Sequence, residues 1–311
     1  MKKTVFIYIL AFFALAACSK KTEGPKLGKN PPDNGGGNTE EEWLSPLKVM
    51  TYNIEYTSVV NAETNPWGSR KELVKEIFDK YRPGIVGVQE LSKAQLEDMV
   101  ALMPQYAFVG TDVRGETTVN NRLSVTIFYE KDRIEIKEWG KFWLSETPTI
   151  AGKGWDADQY RICTWTHAKD KNTQKEFYFF STHLDQIGTE ARTKGVQLLL
   201  DTIPVISAGY PAILTGDFNS AQTTAYYKLM VSGNNIKDTY DLTNNKINAL
   251  RGTFNDYDIN RVDNRRIDHI FLTTTSPVKV DSWAIRTDIF NGKYPSDHFP
   301  VMTEISFSKN K

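Results

Sequence analysis

The sequence predicts an α/β fold in which two β-sheets pack against each other and helices cover them from outside. Three observations predict it. Short apolar, β-branched runs recur along the chain, longer stretches show helical spacing, and the two kinds of segment partly alternate. This globular pattern runs from residue 47 to residue 309, which is enough chain for one domain with its own core.

The apolar runs predict strands at 47–54, 85–89, 123–129, 176–182, 211–215, 267–273 and 299–307. A further strand at 133–143 follows the strand at 123–129 through the segment 130–133, which is typical of a tight turn. The helical spacing predicts helices at 70–81, 92–103 and 190–206. Neighbouring strands combined with strand–helix alternation favour two sheets with external helices.

Residues 1–18 are typical of a bacterial lipoprotein signal peptide. Lys2 and Lys3 precede the apolar residues 5–17, and this run is too short to span a bilayer. It ends in Leu-Ala-Ala-Cys, which resembles a lipobox, and that resemblance implies lipidation of Cys18. We therefore expect an exported, membrane-anchored lipoprotein, at the outer membrane or cell surface rather than the inner membrane. The alternative is an ordinary signal peptide with an incidental cysteine.

The next segment, 19–46, is polar and rich in glycine and proline, with no apolar periodicity. Such a composition is typical of a flexible tether. The only other cysteine is Cys163, so once Cys18 is acylated no intrachain disulfide can form. The domain after the tether must therefore depend on its hydrophobic core for stability.

The charge balance argues modestly against a protein that grips long nucleic acids. The chain has 38 basic and 38 acidic residues, and loss of the leader with Lys2 and Lys3 makes the remainder slightly acidic. Proteins that hold long nucleic acids usually carry a basic surplus. A local basic patch remains compatible with this balance.

Polar residues directly follow the apolar runs, at the ends of the predicted strands. Side chains at the ends of neighbouring strands can converge on one pocket. The candidates are Asn53, Glu90, His183, Asp217, Asn219, Asp268, Asp297 and His298.

Several of these candidates also have a purely structural explanation. Asp217 and Asn219 would face the same side of an extended segment and could polarise a water together, but Gly-Asp-x-Asn also favours a turn. Glu90 fits a solvated strand end, and His183 fits a hydrogen-bonded structural histidine.

The last two candidates, Asp297 and His298, are adjacent and would point in opposite directions on a strand. They can reach one site only from an irregular segment, which Pro295 and Pro300 favour; the alternative is a polar loop.

Asp268 shares a strand face with Ile270 and Leu272, which is expected to be the buried face. A buried carboxylate needs a partner, and His298 is the natural candidate. His269 points the other way and is interpreted as structural.

The ordered motifs TYNI, VQE, STHL, GDFNS, IDHIF and SDHFPV, spread over residues 51–301, together resemble the endonuclease/exonuclease/phosphatase superfamily of metal-dependent, DNase I-like enzymes. This resemblance implies a four-layered β-sandwich of two mixed sheets flanked by helices. It also implies hydrolysis of phosphate esters, with nucleic acids, inositol phosphates and phospholipid head groups as open substrate classes. The alternative is a catalytically inactive binding module with the same fold on the cell surface.

The resemblance further implies roles for single residues. Glu90 is expected to be the main metal carboxylate, with Asn53 and Asp297 in or beside the ligand set. Asp217 is expected to orient or deprotonate the attacking water. The other implied roles concern the phosphate. Asn219 holds the phosphate or the attacking water, and Arg161 contacts the phosphate. His183 and His298 hydrogen-bond the phosphate oxygens, and Asp268 fixes His298.

The implied cofactor is Mg²⁺, because this ion prefers a few carboxylate and amide oxygens and keeps several waters. Mn²⁺ is expected to substitute, since it accepts the same ligands. We expect a monomer that meets the membrane through its N-terminal lipid.

The tryptophan-rich segment 139–165 is where we expect substrate choice to lie. Its aromatic residues could stack on a base or sugar, or belong to the core of a strand pair, and the second interpretation is favoured.

Overall fold

A computed structural model describes residues 41–56, 64–116, 124–274 and 277–310. The predicted signal peptide with Cys18, and the predicted tether up to residue 40, lie outside these residues. The described chain contains thirteen strands: β1 (Leu47–Asn53), β2 (Ile85–Gln89), β3 (Tyr106–Asp112), β4 (Ser124–Glu130), β5 (Ile134–Trp143), β6 (Ile162–Asp170), β7 (Glu176–His183), β8 (Ala212–Asp217), β9 (Ile236–Asp238), β10 (Lys246–Ile247), β11 (Asp268–Thr273), β12 (Val278–Ile285) and β13 (Val301–Phe307).

Four α-helices accompany these strands in the described residues: α1 (Trp67–Tyr81), α2 (Lys93–Leu102), α3 (Thr189–Ser207) and α4 (Ala225–Val231). The start of α2 is fixed by a capping box, in which Ser92 and Gln95 exchange side-chain and backbone hydrogen bonds. In this part of the chain no helix has both the length and the apolar character needed to cross a bilayer.

The strands form two mixed sheets, which confirms the predicted fold class. The seven-stranded sheet has the order β10-β12-β13-β1-β2-β4-β3, and the six-stranded sheet has the order β5-β6-β7-β8-β11-β9. Each sheet contains a parallel pair at its centre, β1 with β2 and β7 with β8, while most other pairs are antiparallel.

Alternation along the strands divides the core into three apolar layers. Val49 faces the other sheet, whereas Met50 faces α1 and α2. Likewise, Phe179 lies between the sheets, whereas Phe180 packs against α3. Because strands buried on both faces need apolar residues at every position, these strands appear as continuous apolar runs in the sequence.

The sheets approach each other closely beneath the ends of β2 and β8. A Cβ on Gly87 would lie 2.3 Å from Thr215 Oγ1, so only glycine allows this approach. Beside it, Gln89 Nε2 donates to Ser181 Oγ at 3.1 Å. This contact links the two sheets directly below the edge where the candidate residues lie.

Three sequence predictions need correction. The tight turn after β4 exists, with Arg133 N donating to Glu130 O, but it carries the chain from one sheet to the other, so β4 and β5 are not neighbours. The elements β3, β6, β9, β10, β12 and α4 were not among the predicted strands and helices. Finally, the predicted tether extends too far: Trp43 pairs with Ser308 and Leu44 N donates to Phe307 O, so the folded domain includes residues before Leu47.

Candidate active site

The strand registers bring the candidate residues to one edge of the sandwich. In the parallel pair β1–β2, Asn53 lies opposite Gln89, the residue before Glu90. In the parallel pair β7–β8, His183 lies opposite Asp217, and the antiparallel strand β11 places Asp268 opposite Asp217 as well. Side chains from both sheets therefore meet at this edge.

A pocket of about 700 Å³ opens there. Asn53 and Asp268 lie buried beneath it and contact residues of its wall. The other predicted site residues all line the pocket: Glu90, Arg161, His183, Asp217, Asn219, Asp297 and His298.

Asn53 joins two carboxylates at the floor of the pocket. Its Nδ2 donates to Glu90 Oε1 at 3.1 Å and to Asp217 Oδ2 at 3.0 Å. Its Oδ1 accepts from the backbone N–H of Glu55 at 3.0 Å. In this arrangement Asn53 holds the carboxylates through its nitrogen, and its oxygen is already engaged.

Asp217 is a buried carboxylate at the centre of the cluster. Burial, together with the negative charges of Asp268 and Glu90, raises its pKa to about 7. His183 Nε2 lies 3.4 Å and His298 Nε2 lies 3.8 Å from its Oδ2. A carboxylate with a pKa near neutrality is suited to exchange a proton at neutral pH.

His298 and Asp268 form a buried pair, with His298 Nδ1 2.9 Å from Asp268 Oδ2. Burial opposes the charge on His298, but Asp268, Asp297 and Asp217 outweigh it and raise its pKa well above the ordinary value. These charges favour the imidazolium form of His298, whose Nε2 lies on the side of Asp217.

His183 is held in the opposite state. Burial, reinforced by the charges of Arg161 and His298, lowers its pKa well below the ordinary value. Asn219 Nδ2 donates to Leu184 O at 2.9 Å, which fixes the orientation of this amide, and the same nitrogen lies 3.0 Å from His183 Nε2. His183 Nε2 must then accept, so this neutral ring carries its proton on Nδ1.

The segment Asp217–Asn219 is a turn as well as part of the site. Asn219 has a φ of 46°, and its N–H donates to Asp217 Oδ1 at 2.8 Å. The two explanations weighed for this motif therefore do not compete, because the turn is what brings Asn219 into the pocket.

The donor set of the pocket fits a divalent cation. Glu90, His183 and Asp217 each offer a ligand atom within 4.8 Å of the others. Asp297 lies outside that group, but burial and the nearby Glu90 and Glu55 raise its pKa to about 7. Carboxylates crowded in a buried place, where they raise the pKa of Asp217 and Asp297, form an environment that a cation stabilises. In the second group, Asp217, Asp268 and His298, the imidazole is already paired with Asp268.

Arg161 lies immediately before β6 and is only 4% exposed. Its Nε donates to Asp185 Oδ2 at 3.4 Å, and its Nη2 contacts Gln186 Oε1. The carboxylate of Asp185 also accepts from the backbone N–H groups of Gln159 and Gly188. Asp185 thus fixes the arginine and two loops at once. Its position two residues after His183 was an available signal in the sequence.

Arg70 was not predicted as a residue that shapes the site, although it begins the predicted helix. This buried side chain donates to the carbonyl oxygens of Ile54, Glu55 and Pro295, and forms an ion pair with Glu55 at 3.1 Å. It therefore ties the segment after Asn53 to the segment before Asp297. No local pattern in the sequence identifies such a contact.

The tryptophans of segment 139–165 are not part of the pocket lining, which is formed here by residues 159–161. Trp143 is buried, and its Nε1 donates to Val113 O at 2.8 Å. Trp139 is 38% exposed on β5. The core interpretation therefore fits Trp143 but not Trp139.

Comparisons with known proteins identify the family of this chain. The family model described as "Endonuclease/Exonuclease/phosphatase family" matches residues 50–298. An endonuclease/exonuclease/phosphatase family protein from Bacteroides thetaiotaomicron is 36% identical, with a TM-score of 0.80 over 86% of this chain and 99% of that chain. A mannosyl-6-phosphatase from the same species is 37% identical, with a TM-score of 0.78 over 84% of this chain and 100% of that chain.

A more distant relative is an uncharacterized protein of Acanthamoeba polyphaga mimivirus, 27% identical over 285 residues, which cover 82% of this chain and 98% of the relative. The family match spans both sheets and every strand end that contributes to the pocket. The chain belongs to the endonuclease/exonuclease/phosphatase family.

Proposed function

We propose that this protein is a phosphoesterase that depends on a divalent metal ion and acts outside the cytoplasm as a lipid-anchored monomer. The observation that carries this proposal is the pair of oppositely tuned histidines around one buried carboxylate. The surroundings favour the charged form of His298 and the neutral form of His183, and Nε2 of each ring lies within 4 Å of Asp217 Oδ2. Neighbouring titratable groups whose pKa values are shifted in opposite directions are typical of sites of acid–base catalysis.

Glu90, Asn53 and Asp297 are the residues placed to hold the metal ion or to orient its ligands. A bound Mg²⁺ would act as a Lewis acid and stabilise negative charge on the phosphoryl group and the leaving oxygen. The cluster of carboxylates and the polar pocket are compatible with such a hard cation.

The protein's own groups account for the other requirements of hydrolysis. Asp217 orients a water and accepts its proton as the water oxygen bonds to phosphorus. The ester P–O bond breaks, the leaving oxygen takes a proton from solvent water to become an alcohol, and Asp217 returns its proton to solvent. His298, held by Asp268, and Arg161 supply positive hydrogen-bond donors for the phosphoryl oxygens, which gain charge in the transition state.

A hydrolysis screen tests the proposal. The panel contains a hexose 6-phosphate, a small alkyl phosphate, a phosphodiester, single- and double-stranded DNA, RNA, an inositol phosphate and sphingomyelin, with Mg²⁺ or Mn²⁺ and an EDTA control. The name of the 37% identical relative supports including the hexose phosphate. Turnover of any substrate that EDTA abolishes is expected. Metal binding by a folded protein without any turnover would instead favour the inactive binding module.

Glu90→Ala is expected to raise the Mg²⁺ concentration for half-maximal activity by about tenfold or more, since loss of a residue that holds a metal typically costs that much affinity. The measurement is a titration of activity against Mg²⁺. Glu97→Ala, on the exposed face of α2, is the matched control and is expected to leave the curve unchanged. An unchanged Mg²⁺ dependence in Glu90→Ala would remove Glu90 from the metal site.

Cys18→Ala is expected to release the protein from the membrane fraction, because the acceptor of the lipid is lost and no helix of the described chain can replace it as an anchor. The measurement is fractionation of cells that express each form. Cys163→Ala, at the buried cysteine, is the control for thiol loss as such. Identical partitioning of wild type and Cys18→Ala would argue against lipidation.

A further inference from the structure

One side of the active-site pocket consists of residues that the catalytic scheme does not use. We call them the leaving-group wall: Val113, Arg114, Gln159, Tyr160 and Gln186. They line the same pocket as Asp217 and His298, and Tyr160 directly precedes the buried Arg161. A substrate whose phosphate contacts Arg161 would therefore have this wall beside it.

The first part of the wall is held rigidly by a buried carboxylate. Asp112 Oδ1 accepts from the backbone N–H groups of Arg114 and Glu116, both at 2.9 Å. Trp143 Nε1 donates to the carbonyl oxygen of Val113 at 2.8 Å. These hydrogen bonds fix the backbone of residues 113–116 before any ligand arrives.

The second part of the wall is held by Asp185. This carboxylate accepts from Gln159 N at 3.0 Å, while the adjacent Gln186 contacts Arg161. Burial opposes its charge, but the backbone N–H groups of Gly188 and Gln159 prevail and lower the pKa of Asp185 to about 2. The carboxylate stays ionised at neutral pH and keeps its contacts. Such preorganisation reduces the entropic cost of binding a ligand.

The two parts meet where the Arg114 guanidinium lies over the Tyr160 ring, 4.8 Å from its centroid. The wall therefore presents an aromatic ring, two primary amides and one cation, and none of its five residues is acidic. Amides and a guanidinium hydrogen-bond hydroxyl groups, and an aromatic ring packs against C–H groups. The pocket volume of about 700 Å³ is in the range of small-molecule sites.

We propose that the leaving-group wall is a binding subsite for a sugar, so that the preferred substrate is a phosphorylated sugar whose ring lies against Tyr160 and Arg114. This inference rests on the proposed function, since it names the substrate class of the same site. An acyl chain would need more apolar surface than Val113 supplies.

The test compares two substrates in the full-length protein, methyl hexoside 6-phosphate and a small alkyl phosphate that lacks the ring. Tyr160→Ala and Arg114→Ala are expected to raise KM for the hexoside phosphate about tenfold with kcat nearly unchanged, because uniform binding is lost. Both constants for the alkyl phosphate should change less than twofold. Tyr210→Ala, an exposed tyrosine outside the pocket, is the control.

Equal losses on both substrates, or none on either, would overturn the subsite. Failure of the subsite is distinguished from failure of the proposed function by calorimetry, which measures binding of a non-hydrolysable hexoside 6-phosphonate and needs no turnover. Wild-type binding that Tyr160→Ala weakens about tenfold supports the subsite even if no ester is hydrolysed. If esters are hydrolysed but neither variant weakens phosphonate binding, the subsite is overturned while the proposed function stands. A preference for DNA, RNA or sphingomyelin over the hexoside phosphate has the same meaning.

Discussion

Replacing Asp217 by asparagine is expected to lower kcat by about 10³-fold while the fold persists. The substitution keeps the size of the side chain but removes the group that accepts the proton of the attacking water, and general base catalysis typically contributes 10²–10⁴-fold. The measurement is steady-state kinetics on the substrate found in the screen. Rates near those of the wild type would exclude Asp217 as the base.

The stability of the same variant provides an independent check. Burial beside Asp268 and Glu90 raises the pKa of Asp217 from 3.8 to about 7, so above pH 7 the folded, metal-free protein holds an unfavourable charge. Removing that charge offsets the lost hydrogen bond from Asn53, and Tm of the metal-free protein at pH 8 is expected not to fall. A large decrease would mean that the kinetic loss reflects a damaged fold. Asp201→Asn, on the exposed face of α3, is the matched control.

Asp268→Asn is expected to lower kcat by about 10²- to 10⁴-fold, although Asp268 lies beneath the pocket rather than in its lining. The carboxylate orients His298 through Nδ1 and favours its charged form. Loss of the equivalent carboxylate behind a catalytic histidine has effects of this size in serine proteases.

The pH profile distinguishes this role from a structural one. Without Asp268 the pKa of His298 falls, so the imidazolium is lost at a lower pH and the alkaline limb of kcat should move to lower pH. A general loss of stability would reduce activity at every pH without moving that limb. An unchanged profile together with an unchanged kcat would show that His298 does not act as a charged donor.

The sequence was most informative where buried strands carry continuous apolar runs. The runs at 85–89 and 176–182 predict β2 and β7 closely because both faces of each strand are covered. The edge strand β3 was missed because it has weaker burial and contains a glycine. Local pattern also cannot say which sheet a strand joins, and the tight turn after β4 therefore suggested a hairpin that does not exist.

The candidate site was predictable for a related reason. Polar residues that interrupt strong apolar runs stand out, and parallel strands deliver them to one edge. Contacts that a side chain makes with backbone atoms produce no recognisable pattern in the sequence. The links of Arg70 to the carbonyl oxygens of Ile54, Glu55 and Pro295 join chain segments far apart in sequence, so only the folded structure identifies them.

The pairing of Trp43 with Ser308 has a consequence for how the molecule meets its surroundings. It places the point where the chain enters the domain at the far end of β13, whereas Asp297 and His298 precede the near end. Seven residues of extended strand separate the two ends by roughly 20 Å. The chain therefore enters the folded domain at the end of the sheet away from the pocket, so whatever is attached before Trp43 joins the domain on the side opposite the pocket mouth.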